Sequence, residues 1–178
     1  GGFVFSPDEV WVMEHDVRAA VAGGASGVVI GALTEDNTID TVVLRRIIGC
    51  MDRARVEVTV HRAMDVVADR LTALDELIDL GVTRVLTSGG ADTCNEGLDE
   101  IGRMVEHAAG RIQIMAGGGI TVDDIPAIAA VGVDAVHLSA RKVVAVSGGP
   151  GGGSDGYDVT DAVVAQEAAA AVRAVRLY

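Results

Sequence analysis

Cysteine is scarce in this chain, with two in 178 residues, and aromatics and positive charge are scarce as well. Two cysteines make no disulfide framework and point to a reduced, cytoplasmic setting. Aromatics are 3% of the residues, so a core has to be assembled from Val, Ile, Leu and Ala. Fourteen Lys and Arg against 26 Asp and Glu leave a formal charge of −12. No basic patch exists to neutralise the phosphates of nucleic acid or an anionic membrane. No apolar run is long enough to span a bilayer, and no signal-peptide pattern opens the chain. A local anion site survives these exclusions, because it needs only a few N–H groups and one arginine.

What the chain does have is a repeat. Five short runs rich in Val and Ile read as buried parallel strands: Gly27 to Leu33, Val56 to Asp65, Arg84 to Gly90, Ile112 to Gly119 and Ala135 to Arg141. Their apolar character is nearly unbroken, as in strands covered by helices. Helical patterns lie between them. Val43, Leu44, Ile47, Ile48 and Met51 mark one apolar face, Leu71, Leu74, Leu77 and Ile78 a second, and Leu98, Ile101 and Val105 a third. Ser6-Pro7-Asp8-Glu9 is a capping box with proline at the first helical position, and a last helix is expected over about Asp161 to Leu177. The αβαβ order predicts one α/β domain over residues 1–178, with a Gly-rich loop at 147–157. An open doubly wound sheet and a (β/α)8 barrel both fit it.

The fourth strand ends in Met115-Ala116-Gly117-Gly118-Gly119-Ile120, and Thr121-Val122-Asp123-Asp124 then reads as a helix start. Bare glycine N–H groups beside a helix N-terminus make an anion cradle. Thr59-Val60-His61-Arg62-Ala63-Met64-Asp65, Val85-Leu86-Thr87-Ser88-Gly89-Gly90, the Gly117–Gly119 segment and His137-Leu138-Ser139-Ala140-Arg141 together resemble the CutC family. The resemblance extends to Tyr157-Asp158-Val159-Thr160-Asp161. It implies a TIM-type (β/α)8 barrel, a cytoplasmic location and a link to copper homeostasis. It also implies three earlier strands, with Gly1-Gly2 as the tail of the third. The chain is then a partial barrel of five parallel strands and six helices, lacking about three βα units. A five-stranded arc leaves two open edges and an uncovered interior, which a homo-oligomer could cover.

In such barrels the C-terminal strand ends carry the site. His61, Arg62 and Asp65 are therefore the catalytic candidates, with His61 as acid/base and Asp65 as its partner. Alternation sets His61, Ala63 and Asp65 on one side if the strand stays extended that far. Ser88, Gly89, Gly90, Gly117, Gly118, Gly119, Ser139 and Arg141 are the candidates for binding a small anionic ligand, arginine offering a planar two-point donor. Copper(I) wants soft ligands. A helix of about a dozen residues spans roughly 18 Å, which separates Cys50 at the bottom of the barrel from Cys94 in a top loop. A Cu(I) site would use Cys94 with His61 or Met115, or would need the missing strands or a second subunit. Three readings follow: a copper-homeostasis protein that binds Cu(I), a cytosolic enzyme acting on a small phosphorylated or carboxylated metabolite, and a barrel piece without activity.

Overall fold

Seven strands and six helices follow one another in the structure, a computed structural model that describes residues 2–144 and 156–175. The order is α1 (Pro7–Ala22), β1 (Gly27–Ile30), α2 (Thr41–Ile48), β2 (Glu57–Val60), α3 (Arg70–Asp79), β3 (Arg84–Thr87), α4 (Leu98–Ala108), β4 (Gln113–Gly117), α5 (Ile125–Ala130), β5 (Ala135–His137), β6 (Arg141–Val144), β7 (Tyr157–Thr160) and α6 (Ala162–Val175). The first five strands form one parallel sheet in chain order. Because each crossover has the same right-handed sense, the connecting helices fall on one face. The result is a partial α/β barrel, an arc with helices outside.

Side-chain alternation explains what each face does. Val58, Val60, Val85, Thr87, Ile114 and Ala116 point toward the helices and are buried. They join Leu44, Ile47, Leu74, Leu77, Ile101 and Met104 in the core, which are the apolar helix positions the spacing predicts. The inner face of the arc is different. Val29 there is 65% exposed, and Arg84 crosses three strands, donating to Gln113 at 2.9 Å and to Glu57 at 3.5 Å. This inner face is mixed where the helix side is apolar and closed: Thr59 is buried, Leu86 and Met115 are half-buried and Val29 is exposed.

The predicted strands all form, but several end early. The second ends at Val60, and the chain turns through a 3-10 turn at Arg62–Asp65. His61 and Asp65 therefore do not share one face of an extended strand. The turn is favoured locally because the His61 side chain accepts the Ala63 N–H, as an N-cap would. The fifth strand ends at His137, and Arg141 instead opens β6, which pairs antiparallel with β7. Thr121 begins a 3-10 turn before a helix of six residues, not a long helix. The last helix covers Ala162–Val175. The Gly148–Gly153 stretch lies outside the described residues. Among the described residues no helix is long and apolar enough to cross a membrane.

Candidate functional site at the strand tops

Asp65 organises the top of β2 and β3. The 3-10 turn swings its carboxylate, 10% exposed, across to the loop after β3. One oxygen accepts the buried Thr87 hydroxyl at 2.6 Å, the Ser88 N–H at 2.9 Å and the Gly90 N–H at 3.2 Å. The other accepts Arg62 Nε at 2.6 Å. The Gly89 N–H goes to Thr87 Oγ1 at 2.9 Å. The amides of the Ser88-Gly89-Gly90 loop thus already serve side chains of this chain. Asp65 bonds this loop and Arg62, not His61. Thr87 escaped the sequence reading. Its only sequence signal was a polar residue at the end of an apolar run.

Arg62 is pinned on two sides and open on the third. Besides Asp65, its Nη2 donates to Ser88 Oγ at 2.7 Å. Nη1 has no hydrogen-bond partner among the described residues and lies against Gly118. A cavity of about 450 Å³ opens there, lined by Arg62, Gly118, Gly119, Ile120, Ser139 and Arg141, with Leu86, His137 and Leu138 completing the wall. Gly118 and Gly119 have φ of +117° and +66°, backbone that L side chains rarely adopt. Their N–H groups and that of Ile120 have no partner among the described residues. Gly117 closes the floor, since a Cβ there would crowd Leu86 and the His137 carbonyl. The short helix beyond is capped from within: the Asp124 carboxylate accepts the Thr121 N–H and hydroxyl, both at 2.7 Å. Those bonds, with one from Asn95, hold its carboxyl below the usual carboxylate range. Arg141 reaches the cavity while paired with Asp158 at 2.7 Å.

The residues 1–142 match the model of the CutC family. The chain belongs to the CutC family. A CutC family protein of Treponema denticola is 45% identical over 142 residues, covering 79% of this chain and 57% of the relative. A human copper homeostasis protein cutC homolog is 44% identical over 147 residues, 80% of this chain and 52% of that protein. The chain thus spans little more than half the length of these curated relatives. The crystal structure of a CutC protein from Streptococcus agalactiae superposes with a TM-score of 0.72 at 33% identity, over 77% of this chain and 67% of that one. A mandelate oxidase superposes with a TM-score of 0.56 at 18% identity, a likeness of fold alone. The family match ends at Lys142, so the Tyr157–Asp161 stretch and α6 lie beyond it.

The soft donors of this CutC chain do not converge. Cys94 is fully buried in the loop after β3, where its N–H bonds the Gly118 carbonyl at 2.8 Å. Burial, with the charges of Asp124 and Asp65, pushes its thiol up to about 11. Metal binding needs the thiolate, so this cysteine is poorly disposed to bind. Cys50 follows α2 at the other end of the arc and donates to the Arg46 carbonyl. Among the described residues no three His, Cys, Asp or Glu side chains gather as a metal group. The described His and Cys side chains thus offer no three-donor cage for Cu(I).

Proposed function

We propose that this chain takes part in copper homeostasis, the role for which its human relative is named, and that its working surface is an anion site at the strand tops. The ligand class is a small phosphorylated or carboxylated molecule, met in the cytoplasm. One observation carries this reading: Gly118, Gly119 and Ile120, whose N–H groups are unpartnered among the described residues, line one cavity with Arg62. Such a cluster of donors supports an anion even in a chain of net charge −12, because the attraction is local. Arg62 is the anchor, since Asp65 and Ser88 fix its plane. Ser139 and Arg141 complete the wall. A homo-oligomer would cover the exposed inner face.

Titration of the chain with inorganic phosphate, followed by calorimetry, tests this. Arg62→Ala is expected to weaken binding at least about tenfold, the loss of one charge-assisted contact. Phosphate that binds the variant as tightly as the parent chain would refute the assignment. Direct Cu(I) binding is a second reading that rests on the copper-homeostasis name of the human relative and not on the donor geometry. An anaerobic Cu(I) competition titration beside Cys94→Ser, with a melt to verify folding, decides it.

A further inference from the structure

His61 is the residue whose sequence role, acid/base or metal ligand, depends most on which ring nitrogen carries the proton. Its surroundings answer that question. Nδ1 accepts the Ala63 N–H at 3.1 Å, so its lone pair is committed to starting the 3-10 turn. The ring lies flat over Gly31 just after β1, where any Cβ would collide with Cε1, Nδ1 and Nε2. The Phe3 ring packs beside it, its centroid 4.9 Å away with the planes tilted by 40°. Contact with Gly31 and Phe3 restricts the ring. Nε2 then carries the proton, because a neutral imidazole has one donor and one acceptor. Nε2 has no partner among the described residues, and the only unpartnered side-chain polar atom buried among them is Arg70 Nε. The Nε2–H therefore reaches solvent.

We propose that His61 is a fixed, neutral hydrogen-bond donor at the top of the arc, neither a general base nor a copper ligand. A base needs the lone pair that Nδ1 has given to the turn, and a metal needs the lone pair that Nε2 lacks. Arg62 and Asp65, the charged groups on the same turn, pair with each other and with the β3 loop, and no described carboxylate hydrogen-bonds the ring. Burial also lowers the ring's pKa. The chemistry it suits is a carbonyl, carboxylate or phosphoryl oxygen; His61 does not line the glycine-loop cavity, so the tautomer does not depend on the anion-site reading above.

A long-range ¹H–¹⁵N spectrum of the ligand-free chain reads the tautomer directly, with His61→Asn assigning the signals and preserving the turn through its own acceptor oxygen. One protonated-type nitrogen that correlates with both ring protons, and one unprotonated nitrogen, are expected at pH 7. A protonated Nδ1, a rapidly averaged pair or a midpoint above 6.5 overturns the proposal. The second arm is Cu(I) competition: His61→Asn should match the parent chain within about twofold, and a tenfold loss overturns the proposal. If phosphate fails to bind while the spectrum shows Nε2–H, the anion-site reading has failed and the tautomer stands.

Discussion

Replacing Asp65 by Asn changes one atom and should cost far more than an exposed Asp-to-Asn change. Both carboxylate oxygens are in use. Oδ1 accepts from Thr87, Ser88 and Gly90, and Oδ2 accepts Arg62 Nε. An amide has one acceptor oxygen, so one set of donors would face an NH2 group instead. If the oxygen stays toward the loop, the guanidinium contact is lost, worth about 1.5–3 kcal/mol for a charged hydrogen bond. If it turns toward Arg62, the fully buried Thr87 hydroxyl and two N–H groups lose their acceptor, at about 1–3 kcal/mol each before relaxation. The cheaper arrangement, loss of the guanidinium contact, gives about 1.5–3 kcal/mol. With a urea slope of roughly 1–3 kcal/mol/M, the unfolding midpoint should fall by about 0.5–3 M. Asp65→Ala should fall further, because nothing replaces either oxygen. A change within about 0.5 kcal/mol, the size of an ordinary surface effect, would refute the view that this carboxylate holds the two strand tops together.

Other outcomes follow from the same geometry. Gly89 sits at φ +72° with the Gly97 carbonyl where its Cβ would go, so Gly89→Ala should cost about 2 kcal/mol or more. Gly24, at φ +94° with open space, should cost only about 1 kcal/mol in the same unfolding assay. Cys94, with its thiol pushed up to about 11, should resist iodoacetamide at pH 8 while half-buried Cys50 reacts, as read by mass spectrometry. Burial lowers the His61 pKa below 6.5, so the unfolded chain binds the proton more readily. Its contribution to stability is therefore full above pH 6.5 and declines as pH falls below it. The pH 5.5-to-7.5 difference in urea midpoint should shrink in His61→Asn.

The repeat was legible because burial dictates it: Leu44, Ile47, Leu74, Leu77 and Ile101 fall at helical spacing and all lie in the core. Strand ends were less legible. Thr59 to Asp65 reads as one extended run, yet a single side-chain acceptor, His61 Nδ1, turns it at residue 61. Local propensity does not reveal that bond, since it depends on where the ring is held by Gly31 and Phe3, about thirty and sixty residues earlier. The hairpin β6–β7 was missed for a similar reason. Arg141 follows an apolar strand and looks like its tip, but its backbone pairs with Thr160.

Two glycine loops look alike in the sequence, and the structure gives them different work. Ser88-Gly89-Gly90 and Gly117-Gly118-Gly119 both end strands and both offer backbone amides. At the first, the Asp65 carboxylate occupies the place an anionic ligand would take, accepting the Ser88 and Gly90 N–H groups. At the second, the Asp124 carboxylate turns to Thr121, and the N–H groups of Gly118, Gly119 and Ile120 have no partner among the described residues. A charged oxygen already in place excludes a second one, both by occupancy and by like-charge repulsion. Phosphate added to the ¹⁵N-labelled chain should therefore move the amide signals of Gly118, Gly119 and Ile120 and leave those of Ser88 and Gly90 in place. The Ser88 and Gly90 amides should also exchange slowly with deuterium, and quickly in Asp65→Ala. Phosphate shifts centred on Ser88 and Gly90 in the parent chain would mean that Asp65 yields its place to the ligand. The division between a structural loop and a binding loop would then be wrong.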